Sequence, residues 1–187
     1  MQDNLLFSLD DVRLVRKVSV NIDDFDMYAQ EVQRNYLQKV LGDKLYTALN
    51  DAILISPLEP RFEALLNGTR YSDGRDVLFR GLKPYLCYLW LHLYMADSSL
   101  NITPIGARLF KDDYAENNEA SQSRRNARDH YIRSADGLEE PIIRFLNHER
   151  TLYPEFAESH EIEQAERDNM SFKVIGKRYT PPSEFFQ

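Results

Sequence analysis

The sequence predicts a mainly α-helical fold: a helical bundle around a buried central helix at about residues 84–96, with a small β-hairpin at about 69–79 and extended terminal arms. Three observations predict it. From Pro84 to Ala96 the chain reads P-Y-L-C-Y-L-W-L-H-L-Y-M-A, apolar or aromatic at nearly every position. A helix that is hydrophobic all round must be enclosed or lie in a membrane, and this run covers only about 20 Å against a bilayer core of about 30 Å. Second, apolar residues recur at three- and four-residue spacing on either side of this run, the signature of amphipathic helices that can wrap it. Third, 187 residues with 43% hydrophobic and 12% aromatic content are enough to bury about 70% of the unfolded surface without disulfides or metals.

Composition narrows the function classes. The formal charge is −7, and the acidic residues are spread along the chain, so sequence-independent nucleic-acid binding is not the expected main activity. Cys87 is the only cysteine and sits inside the apolar run, so no intrachain disulfide is expected and cytosolic folding is the natural inference. No basic segment leading into an apolar one is seen near Met1, so no signal peptide is expected. No membrane role is expected either.

Three segments are expected: an N-terminal arm at 1–22, a helical domain at 23–153, and an acidic segment with an extended arm at 154–187. In the first, Phe7 to Val12 suits one short helical turn, and Val18 to Ile22 alternates as an extended strand would. Asp23 or Asp24 is expected to cap an amphipathic helix of about 17 residues marked by Phe25, Tyr28 or Ala29, Val32, Tyr36 and Val40. Gly42 is expected to end it and Asp43 to cap the next, whose apolar face is Leu45, Tyr46, Leu49 and Ile53. Ser56-Pro57-Leu58-Glu59 has capping-box spacing with proline at the first helical position, opening a short helix that ends at Asn67-Gly68.

Thr69-Arg70-Tyr71 and Val77-Leu78-Phe79 flank an Asp73-Gly74 turn and predict a hairpin. After the central helix, Asn101 to Gly106 and Ala107 to Phe110 are expected to be extended, because Thr103 precedes a proline. Glu119 to about Leu146 is a long charged helix whose buried side is Ala127, Tyr131, Ala135, Leu138, Ile142, Phe145 and Leu146. Gly137 and Pro141 predict a kink there, or two helices meeting, because a proline ring meets the carbonyl four residues back. Beyond Tyr153-Pro154 the apolar pattern thins. Glu155 to Asn169 is acidic, and Lys173 to Phe186 reads as an extended arm whose exposed aromatics call for a partner surface.

No motif carries catalytic chemistry. The chain has no phosphate-binding glycine loop, dinucleotide fingerprint or nucleophile elbow. His148-Glu149 and His160-Glu161 lack the second histidine of a helical zinc site, and His92 reads as a packed, hydrogen-bonded core histidine. His130 reads as surface. The paired acids Asp10-Asp11, Asp23-Asp24, Asp112-Asp113 and Glu139-Glu140 read as capping and solvated residues rather than a catalytic dyad. A buried Cys87 thiol is a poor nucleophile. No cofactor or metal is expected, and an enzyme built from scattered acids is the weakest reading. Arg124, Arg125, Arg128 and Arg133 are the one concentrated basic set, partly sharing a helix face. Local acids, an acidic partner protein and DNA phosphate are its candidate counterparts.

Several stretches carry a resemblance. Ser19-x-Asn21-x-x-x-Phe25 is followed by Leu37-x-x-x-Leu41-Gly42-x-x-Leu45-Tyr46. Gly81-Leu82-Lys83 then opens the central helix, and Asn101-x-Thr103-Pro104-x-Gly106 and Asp113-Tyr114 follow it. In order and spacing, over roughly residues 18–150, they resemble the head–tail adaptor (connector) proteins of tailed bacteriophages and prophages. The resemblance implies a structural virion protein of the neck, made in the host cytoplasm, with no enzymatic activity. It implies a ring homo-oligomer, twelve copies, docked on the portal protein and meeting the tail or the next neck protein. DNA would pass through the channel without specific binding.

On this reading the candidate protein contacts are Arg124, Arg125, Arg128, Arg133, Tyr71, Asn101, Thr103, Lys177, Arg178, Tyr179, Phe185 and Phe186. A heterologous ring contact needs two complementary patches per subunit, and the Arg124/Arg125/Arg128 face and the acidic Glu155-to-Glu166 segment are candidates. Two alternatives stand beside it: another neck protein, such as a stopper or tail-completion protein, and a helical DNA-binding or regulatory protein that uses the arginine face.

Overall fold

The computed structural model describes residues 4–18, 22–97, 100–103, 106–109 and 118–158. The fold is mainly helical, as expected. In chain order come α1 (Leu9–Val15), α2 (Ile22–Val32), a π-helical stretch (Gln33–Leu37) running into α3 (Gln38–Leu41), α4 (Asp43–Ile53) and α5 (Pro60–Asn67). The strands β1 (Thr69–Ser72) and β2 (Asp76–Phe79) precede α6 (Leu82–Asp97), and β3 (Leu100–Thr103), β4 (Gly106–Leu109) and α7 (Asn118–His148) complete the order. Residues 154–158 add a last helical turn. Among the described residues, no helix is long and apolar enough to cross a membrane.

The apolar run forms α6, and the bundle is built on it. Leu82, Tyr85, Leu86, Cys87, Leu89, Trp90 and Leu91 are buried. Enclosure stops there: residues 92–96 are only half-buried, so the expectation of a fully sheathed helix to Ala96 is corrected. Helix α7 packs along α6, and α1, α2 and α5 also lie against it. The indole N–H of Trp90 donates to the carbonyl of Phe25 at 3.1 Å, and Trp90 stacks on Tyr94 at 5.0 Å. A second aromatic group closes the other end of the core, where Phe79 and Phe145 stack at 4.1 Å.

The segment expected as a lead-in arm is seated in this core through Leu6, Phe7 and Val12. Ser8 and Asp11 form a capping box that starts α1, as that motif's spacing favours. Gln33, wholly buried, holds the chain ahead of it: its Oε1 accepts from the Leu6 N–H at 2.8 Å and its Nε2 donates to the Asn4 carbonyl at 2.9 Å.

Several boundaries differ from expectation. Helix α2 begins at Ile22, so Asp23 and Asp24 fall in its first turn rather than at the cap. The remaining strand-like residues 19–21 lie outside the described residues. Gly42, at φ 75°, ends α3 and caps α4, and Asp43 instead accepts from Gln38 Nε2 at 2.8 Å. Helix α5 starts at Pro60 with Glu59 as its cap, not at Pro57. Pro60 fills the first helical position, where a missing N–H costs nothing, and the Glu59 carbonyl accepts from Phe62 and Glu63 at 3.0 Å. The β1–β2 hairpin is antiparallel, pairing Thr69 with Phe79 and Ser72 with Asp76. Residues 100–103 and 106–109 are extended as expected, but they also pair, as antiparallel strands.

Helix α7 runs unbroken from Asn118 to His148 with Pro141 inside it, which corrects the alternative of two helices meeting. Gly137, the residue whose carbonyl the proline ring meets, has open space where a side chain would stand. Past α7, Tyr153 and Phe156 are core residues. The thinning apolar pattern concealed them because one aromatic per turn is enough to anchor a short segment.

Candidate interaction surface

The chemistry-bearing side chains are occupied by structure. Burial pushes the Cys87 thiol up to about 12, which keeps it protonated and unreactive. Among the described residues, no group of His, Cys, Asp and Glu is placed to hold a metal ion. A cleft of about 680 Å³ opens where residues 5–11 pass Phe25, Asp26 and Lys83. Of the three carboxylates that line it, Asp10, Asp11 and Asp26, Asp11 accepts from the Ser8 N–H at 2.8 Å, the Ser8 hydroxyl at 2.9 Å and Lys83 Nζ at 3.3 Å. Burial disfavours ionisation of Asp11, but these donors outweigh it and hold the carboxyl below its ordinary value. Such a group is a fastening, not a proton carrier. Asp10 pairs with Arg13 at 3.0 Å and Glu140 with Arg144 at 2.9 Å, surface pairs of small energetic weight.

Arg125, Arg128 and Arg133 lie within α7, past its start at Asn118. Arg125 and Arg128 are exposed, and Arg128 has Asp129 at 3.5 Å. Arg133 donates from Nε to the Asp129 carbonyl one turn back. His92 Nδ1 lies 3.1 Å from the Arg128 carbonyl, which ties this stretch of α7 to α6. His92 is hydrogen-bonded as expected, but half-buried rather than core. His130 is exposed.

A contribution from α1 was not legible in the sequence. The Arg16 guanidinium lies over the Tyr131 ring, 5.8 Å from its centroid, a cation–π arrangement that sets the end of α1 against α7. Arg16 thus stands over a ring one turn along α7 from Arg128, and near it in the chain Lys17 and Leu14 are exposed, Leu14 by 87%. Residues this far apart in sequence come together only through packing; the local signal was a basic run closing a capped helix.

Past the end of α7, a polar knot ties the chain to α5. Arg61 Nη1 donates to both Glu155 oxygens at 3.0 Å and to the Leu152 carbonyl at 2.9 Å, and its Nε lies 3.2 Å from Glu59. The Tyr153 hydroxyl donates to the Arg61 carbonyl at 2.6 Å, and Lys44 pairs with Glu158 at 2.6 Å. Outside this knot, Asp51 and Glu63 are exposed, as are Leu54 (70%) and Ile55 (66%) in the α4–α5 connection.

Of the remaining expected contact residues, Tyr71 is buried, its ring edge-on to Phe145 at 5.3 Å. This corrects its assignment as a surface contact: on β1 it alternates inward against α7, leaving Arg70 outward. Asn101 and Thr103 lie on β3, with side chains outside the described residues, as is that of Arg124. Lys177, Arg178, Tyr179, Phe185 and Phe186 lie outside the described residues too.

Comparison with protein-family models matches residues 37–166 to one described as a family of unknown function (DUF6712). No curated protein and no solved structure matches significantly.

Proposed function

The chain belongs to the DUF6712 family, and from that premise we propose that it is a structural protein of the phage neck, a head–tail connector subunit that docks on the portal and extends the DNA channel. The observation that carries this reading is a set of exposed cations, Arg125 and Arg128 on α7 and Arg16 after α1, on a closed helical core. Asp11 at the cleft and Arg61 are spent on internal fastening, while these cations are exposed, as a docking surface requires. The acidic balance of the whole chain suits a channel wall along which DNA slides without sticking.

The test is localisation. Particles of a phage or induced prophage that encodes the chain are expected to carry it at the neck, as ring density beneath the portal in electron microscopy. A chain absent from purified particles overturns the reading. The same exposed arginines favour one other reading, a DNA-binding protein. That version predicts duplex affinity that falls steeply with salt, with Arg125 and Arg128 as the residues whose loss flattens the salt dependence.

A further inference from the structure

The cleft beside the amino-terminal segment is built as a binding site is. Its volume, about 680 Å³, lies in the range of clefts that take ligands, and like them it sets a few polar groups in a mostly apolar wall. Leu5, Leu6, Phe7, Leu9 and Phe25 form that wall, and Leu5 and Leu9 are only half-buried, so a ligand can reach them. The wall is held in place before any ligand arrives. Gln33 fixes the backbone of Asn4 and Leu6, the Ser8–Asp11 capping box fixes the turn that follows, and Trp90 holds the Phe25 carbonyl. Such preorganisation lowers the cost of binding.

The charges that line the cleft do not cancel. Asp10 is paired with Arg13, and Asp11 with Lys83. Asp26 is the exception: it is half-buried on α2, and its carboxylate has no ion pair or hydrogen bond among the described residues. One uncompensated negative charge therefore stands beside an apolar wall, where it acts more strongly than it would in open water. A metal ion is a poor match, because the three carboxylates are not placed to hold one together. An anion would meet Asp26 and find both cations already engaged.

We propose that the cleft receives a lysine or arginine side chain of a partner protein, its charged head at Asp26 and its stem along Leu5 and Leu9. Both side chains join a methylene stem that gains by burial to a head that keeps its charge. A free alkylamine satisfies Asp26 alone, whereas a peptide also brings neighbouring side chains to cover the rest of the wall. The inference does not depend on the connector reading: a chain absent from phage particles leaves the cleft and its chemistry as they are.

The test is a titration of the full chain with short peptides, read from the backbone amide NMR shifts of residues 5–11 and 25–26. The probe is acetyl-Gly-Leu-Lys-Leu-Gly-amide, taken up to about 10 mM in low salt, and it is expected to shift these amides. Acetylating the lysine of the peptide, or Asp26→Asn in the protein, is expected to weaken binding at least tenfold. Glu63→Gln removes the same charge from an exposed position that does not line the cleft, and is expected to leave binding unchanged. Circular dichroism and Trp90 emission check that each variant is folded.

A lysine peptide that shifts none of these amides overturns the proposal, as does binding that either acetylation or Asp26→Asn leaves undiminished. A glutamate peptide of the same design that binds more tightly than the lysine peptide overturns it in favour of an anion held by Arg13 and Lys83. Butylamine that binds as tightly as the peptide overturns the partner protein in favour of a free amine.

Discussion

Gln33 does for the amino-terminal segment what a backbone ladder does elsewhere. Its amide satisfies one donor and one acceptor of residues 4–6 from inside the core, and buried backbone groups left unpaired are costly. Gln33→Leu keeps the volume but strands the Leu6 N–H, so it is expected to lower stability by about 1–3 kcal/mol in urea unfolding. A loss below that range would mean the segment finds other partners. Asp11 supplies a pH dependence. Its folded carboxyl is held below the ordinary 3.8, so its stabilisation is complete above that pH and is lost as pH falls through the lowered folded value. Replacing Asp11 with Asn is expected to cost about 1 kcal/mol at neutral pH. The gap between the unfolding curves of wild type and variant is then expected to narrow below pH 3.8. A gap that stays constant into acid would remove Asp11 from the account.

At the scale of elements, the β1–β2 hairpin hangs from two abutting glycines. Gly68 and Gly81 have φ of +92° and +82°. A Cβ on Gly81 would meet the Leu66 carbonyl and stand 2.5 Å from the Gly68 nitrogen, all backbone that cannot step aside. Gly81→Ala is therefore expected to destabilise by at least about 2 kcal/mol, adding a clash to the cost of the left-handed conformation. Gly74, at φ +67° in the hairpin turn, has nothing within 4 Å, so Gly74→Ala is expected to cost only about 1 kcal/mol. Thermal unfolding of the two variants side by side checks the contrast. Equal effects would mean that close packing at the hairpin base does not matter.

Across the whole molecule, the amino-terminal segment, α6, α7 and the turn at 154–158 share one apolar core. Trp90 is the only tryptophan, wholly buried and hydrogen-bonded to Phe25, so its emission reports on the joint between α2 and α6. Its unfolding transition is expected to coincide with loss of helical circular dichroism, as for a single cooperative unit. Separate midpoints would show that the ends of the chain come away from the bundle first.

By itself, the sequence determined the fold class, the buried helix, the Asp73-Gly74 hairpin and the burial of Cys87. Each follows from short-range chemistry: periodicity, turn residues, and an apolar run too short for a membrane. It also isolated the arginines of α7, because they lie on one helix. Only the tertiary structure decided what surrounds them. Arg16 reaches Tyr131, Tyr71 turns inward onto Phe145, and Tyr153 and Phe156 are drawn into the core by Arg61 and its neighbours. Gln33 gave no signal, since a glutamine in an amphipathic helix reads as solvated until another segment is laid against it. Pairings between residues distant in sequence are set by how helices pack around α6, and local spacing carries no record of that.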